Sequence, residues 1–98
     1  MTAVYIVEEA EVELLMAAEF YGRQAPGLRA AFIDEFERMV GLIIEHPAIG
    51  TPYEAGTRRV LFDRFPYAVV YREKPAASLE LIAVMHLHRE PGYWRGRF

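Results

Sequence analysis

Apolar residues in this chain recur with a helical period as far as residue 46 and with a period of two from residue 58 onward. That change of rhythm restricts the chain to a helical layer followed by a strand meander. Ala10, Leu14, Ala17 and Tyr21 fall on one stripe, with Leu15, Ala18 and Phe20 beside it, so residues 8–23 read as a first helix. Glu8, Glu9 and Glu11 crowd its first turn, where the helix dipole favours acids. Residues 24–27 break the pattern, and Pro26 is suited to open the next helix. Leu28, Phe32, Phe36, Val40 and Ile43 carry that helix to about residue 45. His46-Pro47 stops it, because a residue before proline avoids helical angles. Two helices joined by so short a link form an antiparallel hairpin.

Val4-Tyr5-Ile6-Val7 is a short β-prone run ahead of the helices. Residues 47–57, with Pro47, Gly50, Pro52 and Gly56, read as a loop. Three strands follow, over 58–62, 66–72 and 79–88. The third carries Leu79, Leu81, Ala83, Met85 and Leu87 on one face and Glu80, Ile82, Val84, His86 and His88 on the other. Apolar residues on both faces mark a central strand. Residues 89–98 hold Pro91, Gly92 and Gly96 and are expected to be irregular. The expected fold is α+β, in the order β-α-α-β-β-β, with the hairpin packed on an antiparallel meander. Phe20, Phe32 and Phe36 are assigned to the core, and Tyr67 and Tyr71 to one half-buried strand face.

Ninety-eight residues are enough for one core and one domain, spanning 1–98. Without cysteine there is no disulfide, thiolate metal site or Cys nucleophile. No apolar run approaches the ~18 residues of a membrane span, and the start lacks the pattern of a signal peptide. A cytoplasmic location is expected. The net charge of −3 hides an asymmetry. Residues 1–57 hold ten acidic and three basic side chains, whereas 58–98 hold eight basic and four acidic. The second half is therefore the part suited to an anionic partner. Lys74 is the only lysine, against ten arginines, which suit bidentate recognition better.

Three stretches together resemble the RelE/ParE toxin superfamily, its ParE branch above all. The first is Ala17-Ala18-Glu19-Phe20-Tyr21 with Phe32, Glu35-Phe36-Glu37 and Glu45-His46-Pro47-Ala48-Ile49-Gly50. The second is Arg58-Arg59 followed by Arg64-Phe65-Pro66-Tyr67-Ala68-Val69-Val70-Tyr71. The third, Ala83-Val84-Met85-His86-Leu87-His88-Arg89-Glu90-Pro91-Gly92-Tyr93-Trp94, looks like the family's H-x-x-R-x-P-x-Y-W ending. The resemblance implies the toxin of a type II toxin–antitoxin module, as in plasmid stabilisation. A cognate antitoxin would neutralise it in a hetero-oligomer. ParE-like members are associated with DNA gyrase, and RelE-like members cleave messenger RNA on the ribosome. A third reading keeps the fold as a non-toxic antitoxin-binding partner.

RNA cleavage by a 2′-hydroxyl needs a proton acceptor, a proton donor and positive charge on the transition state. His88, Arg89 and Tyr93 are the residues that would supply them, with His86 on the strand face of His88. Two features stand against it. RelE-type nucleases as a family are strongly basic, and their tyrosine follows the catalytic arginine by about six residues. This chain is net acidic, and Arg89 and Tyr93 are four apart with Pro91 between them. Binding asks for less. Arg58, Arg59, Arg64, Arg72, Arg89, Arg95 and Arg97 are expected to build a positive rim, with Tyr93 and Trp94 as aromatic anchors. The Tyr93-Trp94 pair also suits a flap that pins the C-terminal segment to the sheet. Leu15, Met16 and Phe20 exceed what one core stripe uses and form a second strip for the antitoxin. His86 and His88 lack a third metal ligand, and no phosphate loop or Ser/His/Asp set is present. Neither metal nor cofactor is expected.

Overall fold

A computed structural model describes residues 2–98. The chain runs through β1 (Ala3–Ile6), α1 (Glu8–Gln24), α2 (Leu28–Glu45), β2 (Thr51–Pro52), β3 (Arg58–Leu61), β4 (Tyr67–Lys74) and β5 (Ser78–His86). The strands form one sheet in the order β1-β5-β4-β3-β2. β1 lies parallel to β5 and the other pairs are antiparallel. The order β-α-α-β-β-β holds, with β5 in the interior of the sheet between β1 and β4 and the two-residue β2 added within the expected loop. The sheet is mixed because the helical hairpin carries the chain across before it returns beside β1.

Small residues set the distance between hairpin and sheet. Ala10, Ala17 and Ala18 are the buried residues of α1, and they let its backbone approach β5 closely. α2 starts at Leu28 and not at Pro26, because Gly27 takes a left-handed φ of 84° that no helix passes through. Phe32 sits at the centre of the core. It stacks on Phe62 at 4.8 Å and meets Phe65 and Tyr67 edge-on at 4.9 and 5.1 Å. Phe36, Met39 and Ile43 continue this buried face of α2. Phe20 is a correction: it points off the core stripe and is 48% exposed.

The loop after α2 is fastened from below. The hydroxyl of fully buried Tyr71 donates to the Pro47 carbonyl at 2.6 Å and accepts the Gly50 N–H at 2.9 Å. A Cβ on Gly50 would lie 2.7 Å from that hydroxyl, so only glycine fits. Tyr71 is thus a core residue, while Tyr67 stays half-buried as expected.

One irregularity re-aims β5. The register Tyr71↔Leu81 becomes Val70↔Ala83, which leaves Ile82 as an extra residue, a β-bulge. The bulge breaks the alternation expected along this strand. Leu79, Leu81 and Val84 pack with the helices, while Ile82, Ala83 and Met85 share the opposite face. That face is not left open. The C-terminal segment crosses it and buries Trp94 against Ala68, Val70 and Met85. β5 stops at His86, and Leu87 and His88 lie in a turn. The expectation that His86 and His88 share a strand face is therefore corrected: strand alternation has ended before His88.

Candidate functional site

β1 covers the edge of β5 only as far as Leu81, whose carbonyl accepts the Val7 N–H at 3.1 Å. Beyond that point α1 begins, and side chains take over the exposed edge groups. Glu13 of α1 accepts the Val84 N–H on Oε1 at 3.0 Å. Arg97 donates to the Ile82 carbonyl at 3.0 Å. The two side chains also pair in parallel, Nη1 to Oε1 at 2.8 Å and Nη2 to Oε2 at 3.0 Å. The Tyr93 hydroxyl completes the group by donating to Glu13 Oε2 at 2.6 Å. Burial, reinforced by the hydrogen bond to the Glu13 carboxylate, pushes the Tyr93 phenol well above its ordinary range. The same carboxylate raises the Arg97 guanidinium further.

Next to this group opens a cleft of about 350 Å³ between α1 and the end of β5. Buried Ala17 and Val84 line it together with half-buried Tyr67 and His86. Met16 and Phe20 enter from α1, 68% and 48% exposed, and Arg89 and Tyr93 enter from the C-terminal side. The Arg89 guanidinium lies 3.8 Å over the Tyr93 ring, and no carboxylate among the described residues pairs with it. His86 accepts the His88 N–H on Nδ1 at 3.0 Å, so that lone pair is committed. Of the three residues assigned to nuclease chemistry, Arg89 and Tyr93 meet, while His88 lies in the turn after β5 with its ring edge-on to the His86 ring at 5.1 Å.

The arginines do not form one rim. Arg58 and Arg59 are neighbours on β3, so they face opposite sides of the sheet. Arg58 donates to the Gly50 carbonyl at 2.8 Å, and Arg59 lies 4.6 Å over the Tyr53 ring. Arg72 is held by Glu80 at 2.7 Å and by the Phe98 ring, and Arg95 by Glu54 at 2.6 Å. Arg97, assigned to the same rim, is tied to Glu13. Only Arg59, Arg64 and Arg89 of the set have no carboxylate partner among the described residues. Trp94 is corrected as a surface anchor. It is fully buried and acts as the flap that pins the C-terminal segment, its Nε1 lacking an acceptor among the described residues. Leu15 is 47% exposed on α1, beside Met16 in a recess that Glu19 and Arg23 also line, with Phe20 one turn on from Met16.

Glu13 escaped the sequence reading, though it left a signal. It falls at helical spacing between Ala10 and Ala17, on the stripe that α1 buries. Glu35 does the same between Phe32 and Met39 of α2 and is 6% exposed. An acid on an apolar stripe is seldom buried without a partner, and both are spoken for by backbone N–H groups. Among the described residues no three His, Asp or Glu side chains gather as a metal site. No helix among them is long and apolar enough to cross a membrane.

A chain of the solved structure titled "Chromosomal ParDE TA system from P. aeruginosa" superposes with a TM-score of 0.77 at 16% identity. The match covers 90% of this chain and 98% of that one, and at such identity it speaks to the fold. No curated protein matches the chain. The family model described as "ParE toxin of type II toxin-antitoxin system, parDE" matches residues 4–91, ending just before Tyr93 and Trp94. With nine-tenths of its length matched in this way, the chain belongs to the ParE toxin family of type II toxin–antitoxin systems.

Proposed function

We propose that this ParE-family toxin disables DNA gyrase by binding alone, and that a cognate antitoxin neutralises it by covering Leu15, Met16 and Phe20. The observation that carries the reading is the state of Tyr93. Its hydroxyl is locked as a donor to Glu13, and its phenol is pushed up by burial and by that carboxylate. A tyrosine held this way is a poor proton donor and a worse base near neutral pH. Tyr93 is thus withdrawn from proton transfer, yet the cleft keeps Arg89 on a rigid aromatic support. Such pairs suit an interface anchor.

Antitoxin and target residues line the same cleft, Met16 and Phe20 on one side and Arg89 and Tyr93 on the other. A partner seated on α1 therefore also covers Arg89. Glu8, Glu9, Glu11 and Glu19 are exposed along α1, so the fitting partner segment is apolar with basic flanks. The reading assigns the chain to the cytoplasm, where gyrase works.

Purified protein is added to gyrase supercoiling of plasmid DNA and to translation of a reporter message followed by primer extension. Loss of supercoiling with an intact message is the expected result. Ribosome-dependent cuts with unaffected gyrase would overturn the proposal and return Arg89 and Tyr93 to catalysis. Failure in both assays would favour the non-toxic antitoxin-binding partner.

A further inference from the structure

Arg64 stands at the tip of the β3–β4 connection, exposed and without a carboxylate partner among the described residues. Arg59 and Arg89 are supported by close tyrosine rings, but the Arg64 guanidinium has only the Phe65 ring, at 5.8 Å. Its backbone is held instead. Glu35 Oε2 accepts the Asp63 N–H and, at 3.4 Å, the Arg64 N–H. Arg38, one turn further along α2, donates to Asp63 Oδ2 at 2.9 Å and lies 3.8 Å from Glu35 Oε2.

The connection does not need this clasp merely to close. Phe62 N–H already donates to the Tyr67 carbonyl at 2.9 Å, and Tyr67 N–H to the Phe65 carbonyl at 2.8 Å. The clasp is also costly. Glu35 is almost fully buried, and its Oε1 has no hydrogen-bond partner among the described residues. Burying a carboxylate with an idle oxygen works against stability. What the clasp adds is a fixed position for the backbone that carries one arginine, and a segment fixed before binding loses less entropy on binding.

We propose that Arg64 is a target-contacting residue of the toxin, held in place by Glu35 and Arg38 as positioning residues, and that it meets a carboxylate on the target protein. The inference rests on the binding-toxin reading. The chemistry of the partner follows from the surroundings. Asp34, Glu35 and Asp63 line the recess of about 500 Å³ together with Arg38 and Arg64, three acids against two bases, which disfavours a chain of phosphates more than a single carboxylate. A single carboxylate can instead take both donors of the planar guanidinium.

The test titrates gyrase supercoiling inhibition with wild type, Arg64→Ala, Arg64→Lys, Arg38→Ala, Glu35→Ala and the doubles with Arg64→Ala. Thermal unfolding is followed on the same samples. Arg64→Ala should need about tenfold more protein for half inhibition, and Arg64→Lys nearly as much, because an ammonium cannot pair in plane. Glu35→Ala and Arg38→Ala should each weaken inhibition by about three- to fivefold, but add nothing in the Arg64→Ala background. The thermal shift of Glu35→Ala should be the same in both backgrounds. Should Glu35→Ala not fold, the exposed Arg38 supplies the cycle on its own. Inhibition by Arg64→Ala equal to wild type, or full additivity in the doubles, would overturn the inference while leaving the binding toxin intact. A wild type that never inhibits supercoiling would overturn both.

Discussion

Glu13 and Arg97 stand 84 residues apart in sequence and are joined by two parallel hydrogen bonds of 2.8 and 3.0 Å. The pair is mostly shielded, its side chains 17% and 14% exposed, and it closes the β5 edge that β1 leaves uncovered. Arg97→Ala would leave the Glu13 carboxylate in that site with only the Val84 N–H and the Tyr93 hydroxyl. The expected loss is about 2–3 kcal/mol, read as a lower urea midpoint at unchanged m. Trp94 is the only tryptophan and is fully buried, so its emission reports on the same segment. Arg97→Ala should redden that emission below the unfolding transition. An unchanged spectrum and midpoint would mean that Trp94 alone holds the C-terminal segment.

Tyr93 should make stability fall in alkali. Its folded pKa is raised above the ordinary value near 10, first by burial and then by its bond to Glu13. A group raised in the folded state contributes fully below its unfolded pKa. That contribution is lost as pH climbs from about 10 toward the folded value. Stability should therefore stay level through neutrality with respect to Tyr93 and decline above about pH 10. Burial raises Tyr21, Tyr67 and Tyr71 in the same direction, so the decline is shared. Tyr93→Phe should lower stability at pH 7 by about 1–2 kcal/mol and make the alkaline decline shallower. Absorbance of ionised tyrosine, followed beside urea midpoints from pH 8 to 11, checks both; an equally steep decline in Tyr93→Phe would count against the assignment.

The strength of each signal explains what could be read from the sequence. Phe32, Phe36 and Ile43 keep helical spacing over about three turns, so the hairpin and its core face were legible without tertiary information. The bulge at Ile82 was not, because a single extra residue is set by the register with β4, and that pairing is non-local. Every face assignment beyond it on β5 inverted as a result. The arginines were read as one surface because they cluster in sequence. Neighbouring strand residues diverge, however, and Glu80, Glu54 and Glu13 each neutralise one of them. Met16 and Phe20 were legible as surplus apolar residues, but their closeness to Arg89 depends on where β1 ends.

The turn between β4 and β5 is open to improvement. Ala76 and Ala77 hold left-handed φ values of 62° and 55°, where a Cβ meets its own backbone. Asparagine tolerates that region and glycine is unrestricted there. Ala76→Asn with Ala77→Gly should stabilise the protein by about 0.5–1 kcal/mol, after the added freedom of the unfolded chain is counted. Both residues are exposed and far from the cleft, so toxicity should not change. A thermal midpoint that fails to rise would show that the flanking pair of Lys74 and Ser78 governs the turn.

Met16 offers the clearest separation of partner binding from folding. It is 68% exposed, and it lines both the cleft with Arg89 and the recess with Leu15. Met16→Arg should change stability by no more than about 0.5 kcal/mol, the usual range for an open surface position. The same change sets a charge in the middle of the apolar strip and would have to be desolvated under a partner, which should weaken antitoxin binding at least about a hundredfold. Met16 also lines the cleft with Arg89 and Tyr93, so direct inhibition of the target by the free toxin should weaken too, but far less than antitoxin binding. In cells, a toxin with this substitution would then escape a co-expressed antitoxin and arrest growth where wild type does not. Calorimetry of purified toxin variants with the antitoxin, together with growth on co-expression, measures the two effects separately. Full neutralisation of Met16→Arg would place the antitoxin on another face and leave the α1 strip without a partner.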